Sequence, residues 1–153
     1  RMVLITTGGI PQSYGFLEKL NKLREFTFVM PGAGPLMKTV DNLIILPHRS
    51  DFYHPDLVNA ADAVIGKVGY STLSEIYHGG VPFGYVARSN FRESESMVEF
   101  IQRQMSGIAV SESEFNCGNW TAKLADLLDL APVKRNIANG AEQISRFIED
   151  ILT

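Results

Sequence analysis

Ala61-Asp62-Ala63-Val64-Ile65-Gly66-Lys67-Val68-Gly69-Tyr70-Ser71-Thr72-Leu73-Ser74-Glu75 is the stretch from which the rest of the chain can be read. Residues 63–66 are a short, continuous apolar run, which predicts a strand buried on both faces. Gly66 and Gly69 bracket a turn, and Ser71 or Thr72 stands where a helix would be capped. Leu73, Ile76 and Tyr77 recur at helical spacing and predict the core-facing stripe of that helix, which Gly79-Gly80 ends. A buried strand feeding a helix through a glycine turn is one half of a βαβ unit, so parallel strands are expected beside it.

The alternation continues in both directions. Further strands are predicted over residues 2–7, 26–30, 43–47, 83–86 and 107–110, most of them continuous apolar runs. Helical stripes lie between them: Phe16, Leu17, Leu20 and Leu23 after a cap at Ser13; residues 55–61 with Pro55 at the first position; and residues 93–104 with Met97 and Ile101. Two more follow, Trp120 with Leu124, Leu127 and Leu128, and a closing amphipathic helix through Ile137, Ile144, Phe147, Ile148 and Ile151. Residues 31–35, rich in Pro and Gly, predict a turn. The expected fold is α/β, a Rossmann-like doubly wound parallel sheet of about six strands with helices on both faces.

At 153 residues one domain is expected, with room for one substantial core. A net charge of −3 gives no reason to expect a nucleic-acid partner, which needs clustered Lys and Arg. Cys117 is the single cysteine, so a disulfide framework is excluded; a reducing, cytoplasmic setting fits. No apolar run approaches the roughly 20 residues of a transmembrane segment, and no signal peptide is visible. The sequence opens inside a strand-like run, which predicts that residues 1–153 are one piece of a larger, two-domain protein.

In an open α/β sheet ligands bind beyond the carboxyl ends of the strands. Three places there carry chemistry. Gly8 and Gly9 close the first strand, and paired glycines let backbone amides approach a phosphate; the alternative is a plain tight turn. In the opening stretch Thr72 and Glu75 share a helix face. A hydroxyl and a carboxylate near a helix N-terminus suit a nucleoside diphosphate, the carboxylate accepting hydrogen bonds from the ribose hydroxyls. The same Thr72-x-x-Glu75 spacing also fits a capping box that serves only the helix. Finally, Arg88, Arg92 and Glu93 follow the fifth strand, where arginine would pair with phosphate or simply be solvated. His48, His54 and His78 have no metal-ligand spacing, and there is no Asp-x-Asp pair, so neither a metal nor another cofactor is expected.

Asp62 to Glu75, followed by Gly80-Val81-Pro82, resembles the donor-site signature of family 28 glycosyltransferases. A nearer likeness is to the glycosyltransferase-like region of plant arabinokinases. It is carried by Pro55-Asp56-Leu57, Ala61-Asp62, Gly66 to Glu75, Val81-Pro82-Phe83, Arg88, Phe91, Glu93, and Asn139-Gly140-Ala141-Glu142. The resemblance implies the carboxy-terminal domain of a GT-B enzyme, binding a nucleotide diphospho-sugar, usually a UDP-sugar, for metal-independent transfer. By position, Glu75 would hold the ribose hydroxyls. Gly69, Tyr70, Ser71 and Thr72 would face the nucleotide, with Gly8 and Gly9 opposite. His48 and Arg49 would run beside the base, and Lys67, Arg88, Arg92 and Glu93 would lie near the phosphates and donor sugar. Catalytic residues and the acceptor site would belong to an N-terminal domain. The loop departs from the peptidoglycan enzyme's Ser-x-Gly in having Ile10-Pro11-Gln12, where Pro11 donates no amide. Two alternatives stand beside transfer: a non-catalytic sugar-nucleotide-binding module of a larger protein, and an epimerase-like domain, for which His48 and Glu93 supply few of the groups required. A receiver-like domain is excluded, because the ends of the first two strands carry no acidic cluster.

Overall fold

The computed structural model describes residues 1–7, 14–133 and 140–152. Its centre is a sheet of seven strands: β1 (Met2–Thr6), β2 (Thr27–Gly34), β3 (Lys38–Val40), β4 (Leu43–Pro47), β5 (Ala63–Lys67), β6 (Phe83–Val86) and β7 (Gly107–Ala109). The order is β3-β4-β2-β1-β5-β6-β7. Every pairing is parallel except β3 with β4. Around the sheet run α1 (Leu17–Asn21), α2 (His54–Ala60), α3 (Tyr70–Gly79), α4 (Ser94–Gln104), α5 (Glu112–Cys117), α6 (Leu124–Leu128) and α7 (Gly140–Leu152).

The continuous apolar runs are explained by burial on both faces. Along β1, Val3 and Ile5 enter one core and Leu4 the other; along β2, Phe28 and Met30 oppose Val29. The first core is completed by α1, α5 and α6 through Leu20, Phe115, Leu124 and Leu127. Its centre is aromatic: Trp120 is fully buried and meets Phe16 and Phe28 edge-on at 5.8 and 6.3 Å between ring centroids, the preferred arrangement for such rings. On the opposite face α2, α3 and α4 contribute Val58, Leu73, Ile76, Met97 and Ile101.

The expected doubly wound α/β fold is present, with four differences in detail. The sheet has seven strands rather than about six. The extra one, β3, is three residues of largely exposed edge, too short and too polar to give an apolar signal. It folds back on β4 through Asp41, which takes the left-handed conformation at φ 51°, as Asp does at tight turns. Residues 31–34 continue β2 instead of turning. Here β2 has passed its pairs with β1, which run from Met2↔Thr27 to Leu4↔Val29, and a register shift against β4 falls between Met30 and Gly34. Pro31 therefore sits at an irregularity, where its missing N–H breaks no regular ladder. The third correction is α5, which periodicity did not reveal, and the fourth is Trp120, which lies in a 3₁₀ turn, Asn119–Lys123, ahead of α6.

The closing helix is present as α7, although Ile137 and the cap at Ser13 lie outside the described residues. No residue of α7 is buried, and Ile144, Phe147, Ile148 and Ile151 remain exposed. Among the described residues no helix is long and apolar enough to cross a membrane.

Candidate functional site

The chain moves outward from β1 in one direction through β2 and β4, and in the other through β5, β6 and β7. The strand order therefore reverses between β1 and β5, which is where an open α/β sheet forms its ligand crevice. A cleft of about 480 Å³ lies there, within the range of small-molecule sites.

Its floor is made where the two central strands end, by Thr6 of β1 with Thr7 after it and by Lys67 of β5 with Val68 and Gly69 after it. Gly66 is paired with Thr6 across the sheet, and a Cβ at Gly66 would collide with the Thr6 carbonyl. Only glycine permits this approach. Burial pushes the Tyr14 phenol above its ordinary range, partly offset by a hydrogen bond with Thr7. One wall comes from β2 and β4, with Gly32, Pro47 and His48. Gly32 has φ +71°, and a Cβ there would lie 2.7 Å from His48 Nδ1, so this wall also depends on the absence of a side chain.

The other wall is the start of α3. The helix begins at Tyr70 with Gly69 as its N-cap, earlier than either Ser71 or Thr72 would cap it. Among the described residues no side chain caps this end. Its first-turn amides and the positive end of its dipole open on the cleft. Thr72 lies three positions into the helix and is buried, so the capping-box reading of Thr72-x-x-Glu75 is overturned. Glu75 is one turn further in and lines the cleft. Its Oε2 lies 2.5 Å from Nδ1 of His54, the first residue of α2. His54 Nε2 lies 3.3 Å from Thr6 Oγ1.

Across the cleft stands Arg88, whose guanidinium lies 5.1 Å from the centroid of the Phe91 ring, within cation–π range. The Arg88 N–H donates to buried Ser94 Oγ at 2.9 Å, which ties the loop after β6 to the start of α4.

The fold thus brings His48, Lys67, Gly69, Tyr70, Ser71, Thr72, Glu75 and Arg88 around one cleft. Arg49, Arg92 and Glu93 are exposed and do not line it. Gly8 and Gly9 lie outside the described residues. Sequence reasoning missed His54, having tested histidines only for metal spacing. The available signal was its place: a residue opening the helix after a parallel strand stands at the carboxyl rim of the sheet. Among the described residues no three His, Cys, Asp or Glu side chains lie close enough to hold a metal ion.

No family model matches the chain. It is 27% identical to the L-arabinokinase of Arabidopsis thaliana over 149 residues, which is 97% of this chain and 14% of that protein. Among solved structures it is similar to spinosyn forosaminyltransferase SpnP, with a TM-score of 0.60 and 15% identity over 84% of this chain and 34% of that one. The glycotransferase of kitacinnamycin gives a TM-score of 0.61 and 15% identity over 85% and 35%. The glycosyltransferase SnogD from Streptomyces nogalater gives 0.52 and 16% over 97% and 43%. These likenesses establish the architecture: an α/β Rossmann-like sheet, consistent with half of a GT-B fold. The chain spans less than half of the length of each of these four proteins.

Proposed function

We propose that this chain is the donor-binding half of a GT-B glycosyltransferase and that its cleft takes a nucleotide diphospho-sugar, with UDP as the nucleotide. The observation that carries this reading is the uncapped N-terminus of α3, open on the crevice between β1 and β5 with Lys67, Arg88 and Glu75 around it. The helix amides and the two cations supply donors and positive charge for a diphosphate. Charge that builds on the leaving nucleotide as the sugar departs would be stabilised by these fixed groups, without a metal. Glu75 supplies the acceptor for ribose hydroxyls, and His48 lies on the wall where the base would run. A base and an acceptor site would come from a second, N-terminal domain, so residues 1–153 alone would bind the donor without turning it over.

A second reading is favoured by the arabinokinase match, which covers nearly all of this chain and a small part of that protein. Here the same cleft would serve a non-catalytic sugar-nucleotide-binding module within a longer polypeptide. Both readings require nucleotide binding, and sugar transfer by the full-length protein separates them.

Thermal unfolding with UDP, and with GDP, CDP and ADP as controls, is the direct test. A Kd of tens of micromolar corresponds to about −6 kcal/mol. Millimolar UDP would then add roughly 2 kcal/mol of stability and raise Tm by a few degrees. If no nucleotide moves the transition, the nucleotide-binding reading fails.

A further inference from the structure

We infer that His54 is a positioning residue that fixes the Glu75 carboxylate to receive the two vicinal hydroxyls of a ribose. The inference rests on the nucleotide reading of the cleft and adds to it a residue which that reading did not contain.

The geometry is a three-membered chain across three elements. Thr6 ends β1, His54 opens α2, and Glu75 stands on α3. A carboxylate only accepts hydrogen bonds, so His54 Nδ1 carries the hydrogen and donates to Glu75 Oε2 at 2.5 Å. Nε2 of the same ring lies 3.3 Å from Thr6 Oγ1. The ring is thereby held at both nitrogens.

The arrangement leaves Glu75 able to bind more. A carboxylate has about four lone-pair sites, and the contact with His54 occupies one. The side chains of His54 and Glu75 are 29% and 21% exposed, so the pair is largely enclosed yet reachable from the cleft. Lys67 and Arg88 line the same cleft, but among the described residues it is His54 that pairs with Glu75. A free glutamate side chain would lose rotamer freedom when a ligand arrived, whereas one already held by His54 has lost it beforehand. His54 thus acts through Glu75 and need not touch the nucleotide.

Calorimetric titration of UDP and of 2′,3′-dideoxy-UDP into the wild-type chain, His54→Leu and His54→Asn tests this. The wild type is expected to prefer UDP. His54→Leu should weaken UDP binding about tenfold, the scale of one hydrogen bond to a charged group, and leave the dideoxy Kd unchanged. His54→Asn, whose side-chain amide can replace the Nδ1–H, should restore the preference. A leucine at this position that merely disturbed the fold would weaken both ligands together, so equal losses overturn the proposal, as does no loss. The asparagine variant is an independent check, because failure to restore ribose preference also overturns it. If the wild type binds both nucleotides equally, nucleotide binding stands and the role given to His54 fails. If it binds neither, the functional reading fails and takes the proposal with it.

Discussion

Thr72-x-x-Glu75 and Ser111-x-x-Glu114 carry the same spacing of hydroxyl and carboxylate, and the fold uses them in opposite ways. At the start of α5, Ser111 Oγ accepts from the Glu114 N–H at 3.1 Å while Glu114 Oε2 accepts from the Ser111 N–H at 2.8 Å. That pair is a complete capping box. At the start of α3 the chain leaves β5 through Gly69, and the helix is already under way when Thr72 is reached. Thr72 is then buried, and Glu75, a turn further along, meets His54 instead of its own helix. A helix end that serves itself has little left for a ligand; one left uncapped above a crevice keeps its amides available.

The largest effect should come from what seats α3. Ile76 is fully buried among the residues packed on that face of the sheet. Ile76→Ala should cost about 2–5 kcal/mol, measured by urea unfolding. A loss below about 1 kcal/mol would mean that the face is not packed as described.

Next comes the functional half of the contrast. Glu75→Ala should weaken UDP binding by about 1.5–3 kcal/mol, read by the nucleotide-dependent shift in Tm. If UDP binding survives unchanged, Glu75 is not a ribose acceptor and the two motifs differ only in helix register.

The smallest effect belongs to α5. Ser111→Ala should lower stability by about 1 kcal/mol and leave UDP binding as it was. This cap also has a pH signature. Hydrogen bonds from Lys123 and then from Ser111 hold the Glu114 carboxyl down at about 2, from an ordinary 4.5. A folded-state value below the unfolded one stabilises at higher pH, so this contribution is present above the ordinary carboxylate range and is lost as pH falls toward 2. The gap between wild type and Glu114→Gln, which cannot ionise, should narrow over that interval in urea titrations at stepped pH. A constant gap would break the assignment.

Much of the sheet was legible because a strand segment buried on both faces must be apolar, as in residues 3–5, 28–30 and 63–65. Edge strand β3 was not, since it buries too little to constrain its residues. Helix α5 was not read, since six residues give little periodicity and a capping spacing such as that of Ser111 and Glu114 is ambiguous until the helix start is known. The cleft was partly legible: residues that follow strands collect at the carboxyl rim, which singles out Lys67, Gly69 to Thr72, Glu75 and Arg88. Arg49, Arg92 and Glu93 obey the same rule by position and still remain outside the cleft. Being next to a rim residue does not bring a side chain into the space between the walls.

The sequence by itself determined the alternation of strands and helices, the burial of the central strands and the place of the glycine turn before α3. These follow from local periodicity and from the conformations that Gly and Pro permit. Tertiary structure alone decided that Glu75 faces His54, 21 residues earlier in the chain, and that His54 reaches Thr6, 48 residues earlier still. It also decided that Ile144, Phe147, Ile148 and Ile151 of α7 are left exposed among the described residues. The physical reason is the same in each case. Periodicity fixes which face of an element is apolar and which residues stand at its ends, whereas the partner of a face or an end depends on how distant elements are brought together.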